Sequence, residues 1–158
     1  MEWSPLWITN NLNAPLFLGA LVLIAFHAGE IPSRIFGAYL IKFFGELRIG
    51  FHLVIIGCFC LFVSIITMNY IIIAVAAFIF GFATGNTNPI VIRQAIKSTN
   101  ENIPTTIANL MTLAFSGLMI GPGIVGLTAK YMGMTFNMYL LPIIWAMCAI
   151  IFLLNFKK

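Results

Sequence analysis

The sequence predicts an all-α, polytopic membrane protein: a helical bundle with five transmembrane helices. Three observations predict it. Of the 158 residues, 61% are hydrophobic and only 8% charged, and the mean hydropathy is +1.06. A water-soluble domain of this length needs far more polar surface. Five separate apolar segments each reach the roughly 20 residues needed to cross about 30 Å of hydrocarbon. Basic residues also collect at alternate connections, as they do in membrane proteins of fixed topology.

Residues 1–15 are too short to span and read as an outer-side N-terminal segment, the end of a truncated helix, with Trp3 and Trp7 at the membrane interface. Residues 16–158 then form one five-helix membrane domain. Its spans are expected at about 16–44, 49–68, 70–95, 104–131 and 136–156. The first, third and fourth exceed the minimum and are expected to tilt, kink or project. Pro32 interrupts the first between Glu30 and Arg34. In the third, Gly81 and Gly85 precede Asn86-Thr87-Asn88-Pro89. The fourth carries Gly117, Gly121, Pro122, Gly123 and Gly126. Proline frees a carbonyl four residues earlier, which protein or cavity water must satisfy within a membrane. Small residues three and four apart permit close helix–helix approach.

Loop charges set the expected orientation. Lys42 and Arg48 flank the first connection, Arg93 and Lys97 the third, and Lys157 and Lys158 follow the last helix; only Lys130 falls on the other side. The N-terminus is therefore expected outside and the C-terminus in the cytoplasm. The net charge of +4 comes from basic residues scattered at helix ends, which excludes nucleic-acid binding as the reading. Cys58, Cys60 and Cys148 lie in apolar runs without a Cys-x-x-Cys spacing. They suggest neither a disulfide framework nor a zinc site, and no cofactor motif is present. The opening MEWSPLWITN lacks the positive and apolar regions of a signal peptide.

The stretch Phe26–Arg48 holds the ionisable groups that an apolar span least tolerates. His27, Glu30 and Arg34 are spaced i, i+3 and i+7 and share one helix face. Charged side chains at that depth cost roughly 2.5–3.5 kcal/mol each on insertion scales, so they are expected to face protein or a watery cavity. Two readings stand. Glu30 or His27 carries a proton or hydrogen-bonds a substrate; or Glu30 and Arg34 pair at i, i+4 and fix packing. Asn86, Thr87 and Asn88 either bind a polar solute at a broken helix or cap the freed backbone. Trp3 either stacks on a solute ring or anchors at the interface. A His-x-x-Glu pair carries little metal specificity, so no metal site is expected. An enzyme would need clustered nucleophile, base or metal ligands, which the chain lacks.

Four segments in order carry a family resemblance. GLMIGPGIVGLTAKYMGM (Gly117–Met134) resembles the Gly-Pro-rich eleventh helix of major facilitator superfamily transporters. SRIFGAYLIKFFGELRI (Ser33–Ile49) is similar to the basic motif between their eighth and ninth helices. Arg34, Gly37, Lys42 and Gly45 match that motif, with Arg48 following; its acidic position falls at Ala38, and Glu46 is out of register. MEWSPLW (Met1–Trp7) resembles a signature near the outer end of the seventh helix in a bacterial, sugar-transporter-like branch. GFATGNTNPIVIRQA (Gly81–Ala95) is similar to that branch's tenth helix. The resemblance implies a C-terminal portion, from the end of helix seven to helix twelve, of a secondary transporter in a bacterial plasma membrane. It implies a small polar solute, such as a sugar, bound between two six-helix halves, with the N-terminal half on another chain. The alternatives are a truncated remnant that transports nothing and a non-catalytic membrane scaffold.

Overall fold

The computed structural model describes residues 1–99 and 102–156; Lys157 and Lys158, two of the positives used for orientation, lie outside the described residues. In chain order it contains α1 (Ser4–Leu12), α2 (Leu16–Phe44), α3 (Glu46–Arg48), a π-helical turn (Ile49–Leu53), α4 (Val54–Thr67), α5 (Tyr70–Thr84), α6 (Thr87–Ser98), α7 (Ile103–Met132) and α8 (Met134–Phe156). Five helical stretches are long and apolar enough to cross a membrane: Leu16–Phe44, Glu46–Thr67, Tyr70–Ser98, Ile103–Met132 and Met134–Asn155.

The boundaries follow local chemistry. Pro15 leads into α2 in extended backbone, and α2 stops at Gly45 with φ +82°, where the Gly45 N–H still reaches the Ile41 carbonyl. Gly133, at φ +84°, ends α7 in the same way; an L side chain is strained in such a conformation. The Asn69 side chain accepts from the Ile71 N–H and starts α5. The second span begins at Glu46, three residues before the expected Ile49, because α3 and the π turn continue into α4.

Pro32 does not interrupt its helix: α2 runs unbroken through it. The segments on both sides of Pro32 are held against α5, and that packing outweighs one lost intrahelical bond. Pro89 sits in the first turn of α6, where an N–H is not needed. The carbonyl of Gly85, four residues earlier, loses its usual donor, and the third span breaks there into α5 and α6.

The core lies between α1, α2, α4, α5 and α8, with Trp7, Val22, Leu61, Ile65 and Phe80 buried in one cluster. Phe80 meets Trp145 edge to face at 6.0 Å between ring centroids. Trp7, expected at the interface, is instead 1% exposed. Its Nε1 donates to the Thr135 hydroxyl at 3.0 Å, which gives the indole a polar partner inside and docks α1 on the start of α8.

α2 packs most extensively against α5. A β-carbon on Gly29 would overlap the Phe78 carbonyl, and one on Gly81 the Phe26 carbonyl. Where lipid is as apolar as leucine, such close backbone approach and the contacts it brings supply the association energy. α7 is the opposite case. Thr106 is its one buried residue, and β-carbons on Gly117, Gly121, Gly123 or Gly126 would have nothing within 4 Å. The close packing expected of Gly117, Gly121 and Gly126 is not exercised against the described residues. Pro122 lies inside the continuous α7, held to α8 where Thr128 donates to the Asn137 side chain at 2.7 Å.

Candidate functional site

α2 carries two adjoining faces with different chemistry. Gly29, Ser33 and Gly37, at i, i+4 and i+8, are buried and meet α5 and the α5–α6 break. His27, Glu30 and Arg34 form the neighbouring strip. His27 Nδ1 lies 3.1 Å from Glu30 Oε2, with the two side chains 56% and 23% exposed. Either the imidazole N–H donates to the carboxylate, or the carboxylic acid donates to the ring nitrogen; one proton bridges the pair in both cases. Glu30 thus reaches back to His27 rather than forward to Arg34. The expected Glu30–Arg34 pair is not formed: Arg34 is exposed and has no ion-pair partner among the described residues.

The polar triplet at the helix break does not converge on one spot. Asn86 is buried and turns toward α2, donating from Nδ2 to the Ser33 carbonyl at 2.6 Å and to its hydroxyl at 2.9 Å. A β-carbon on Gly37 would overlap the Asn86 side chain, so this helix position must stay small. Thr87 lines an apolar cavity of about 60 Å³ with Gly50, Ile90, Trp145 and Phe152, and its buried hydroxyl has no hydrogen-bond partner among the described residues. Asn88 is exposed. Asn86 therefore serves the helix–helix contact, while Asn88 alone of the three is open to a solute.

A charge cluster joins the α2–α3 connection to α6. The Glu46 carboxylate accepts from Arg93 at 3.0 Å, from Lys97 at 3.2 Å and from the Gln94 amide. The sequence places Arg93 and Lys97 beside the third connection and Glu46 out of register with the loop motif, with nothing to join them. Their separation of 47–51 residues gives no local pattern to find. The loop-motif residues themselves disperse. Gly37 meets Asn86 at the α5–α6 break, Gly45 ends α2, and Lys42 and Arg48 are exposed.

Trp3 is half-buried and lines a cleft of about 110 Å³ with Val125, Asn137, Met138 and Leu141. It packs against the core cluster and lies apart from the α2 strip in chain and element. Among the described residues no three His, Cys, Asp or Glu side chains gather as metal ligands.

Fold and site together define a polytopic helical bundle with a titratable strip on one of its long apolar helices. No protein-family model, curated protein or solved structure matches the chain.

Proposed function

We propose that the chain is the C-terminal portion of a major-facilitator-type secondary transporter. It moves a small polar solute by alternating access, together with an N-terminal half supplied by another chain. The observation that carries this reading is the strip His27, Glu30 and Arg34 on a helix of 29 residues, with His27 and Arg34 exposed and Glu30 partly so. Ionisable groups at membrane depth belong against protein or a water-filled path, and the described residues leave His27 and Arg34 open. A facing half that encloses an aqueous cavity meets that requirement.

Within this reading the His27–Glu30 pair holds the coupling proton, Arg34 supplies a fixed positive charge beside it, and Asn88 is a candidate solute contact. The open Gly117, Gly121 and Gly126 of α7 add support, because small residues at that spacing allow a further helix to approach closely.

The test is purification of the chain through a C-terminal tag in mild detergent, with mass spectrometry of what accompanies it. A co-purifying chain of about six hydrophobic helices supports the transporter reading, since a facilitator has two such halves. The chain alone, or rapidly degraded, indicates a truncated remnant. A non-transporter partner indicates a scaffold.

A further inference from the structure

A groove opens sideways between the end of α2 and the start of the second span. Its volume is about 320 Å³, and its walls include Leu40, Phe44, Arg48, His52 and Ile56, with Phe82 of α5 among the deeper residues. Arg48 and His52 are one π-helical turn apart on its rim, and both are exposed. Ile56 is eight residues beyond Arg48, or about 12 Å along a helix axis. The groove is thus basic where the helices end and apolar toward their middle. That polarity is the polarity of a phospholipid.

Charge complementarity selects the occupant. Arg48 has no acidic partner among the described residues. Glu46, the acid closest to it in sequence, is already engaged by Arg93, Gln94 and Lys97. Among the described residues no acidic one lines the groove. The π turn is itself unusual, since such turns are rare and concentrate at functional sites.

We propose that this groove binds one anionic diacyl phospholipid. One acyl chain lies between Leu40, Phe44 and Ile56, and the phosphate sits against Arg48 and His52. The proposal needs only the membrane setting and is independent of whether a second transporter half joins. A basic pocket between spanning helices near the membrane surface is suited to an anionic headgroup. A zwitterionic lipid of equal chain length fills the same groove without net charge attraction.

The experiment is native mass spectrometry of the full chain in detergent, with equimolar phosphatidylglycerol and phosphatidylcholine of identical acyl chains. The wild type is expected to retain one phosphatidylglycerol in preference. Arg48→Gln lowers that preference about fivefold, the weight of one basic residue near the surface. Ile56→Trp, which fills an exposed groove wall, lowers retention of both lipids. Lys130→Gln, outside the groove, changes neither. Equal retention of the two lipids by the wild type, or an unchanged preference in Arg48→Gln, overturns the proposal. So does full displacement by glycerol phosphate, which would assign the site to a free anion.

Discussion

Asn86 joins the break in the third span to α2 by donating to both the carbonyl and the hydroxyl of Ser33, at 2.6 and 2.9 Å. Both residues are buried, and 53 positions separate them in the chain. The pair sits beside Gly37 and Gly85, where two backbones approach closely enough for a short amide to bridge them. This junction locks the helix that carries the titratable strip to the helix that breaks.

Loss of that bridge is the first prediction. Asn86→Ala leaves the Ser33 hydroxyl unpartnered and is expected to destabilise the bundle by about 1–2 kcal/mol. Ser33→Ala keeps the stronger carbonyl bond and costs about half as much, near 0.6 kcal/mol. Unfolding in mixed micelles followed by tryptophan fluorescence measures both. Equal effects, or none from Asn86→Ala, contradict the geometry.

The glycines divide into two classes that the same assay separates. Gly81→Val drives a side chain into the Phe26 carbonyl and is expected to cost about 1–3 kcal/mol or more, as overpacking does. Gly121→Ala meets open space and gains helix propensity, so it is neutral or stabilising by up to about 1 kcal/mol. In the complex with a second half, Gly121→Leu instead weakens assembly, read as loss of co-purification.

The Glu46 cluster is mostly solvated on its basic side, Arg93 and Lys97 being 55% and 57% exposed. Glu46→Ala is therefore expected to lower stability by no more than about 1 kcal/mol. The difference from wild type shrinks as salt is raised, because exposed pairs are screened. A large, salt-independent loss would mean that Glu46 holds the α2–α3 connection by more than charge.

The proposed function gives the coupling proton to the His27–Glu30 pair. In proteoliposomes holding both halves, Glu30→Gln is expected to abolish uptake driven by a pH gradient. A variant whose uptake still follows the gradient removes Glu30 from that role.

The spans were legible in the sequence because long apolar runs, bounded by Asn, Gly and Pro, follow from hydrogen-bond chemistry that acts locally. The first expected span, 16–44, coincides with α2, and the helix ends at Gly45 and Gly133 use the one residue free to adopt positive φ. Relationships at long range were not legible. Nothing near Glu46 announces Arg93 and Lys97, and Trp7 reads as an interfacial anchor until Thr135 is brought to its indole N–H. The Glu30 partner was open because i+3 and i+4 neighbours compete on one helix face; His27, on the N-terminal side, holds it. Small-residue spacing in α7 and α2 looks alike in sequence, yet only in α2 does another helix of this chain occupy it.

In the proposed transporter the His27–Glu30–Arg34 strip lines a water-filled path, while Phe36 on the far side of α2 faces lipid. Phe36 lies nine residues from His27, two and a half helical turns away, and is 55% exposed. With Cys58, Cys60 and Cys148 replaced by serine or alanine, Glu30→Cys and Phe36→Cys are treated in native membranes with a membrane-impermeant, water-soluble maleimide. Labelling of Glu30→Cys with Phe36→Cys left unmodified is the predicted result. Protection of both positions would mean that the strip meets no water and would contradict that reading.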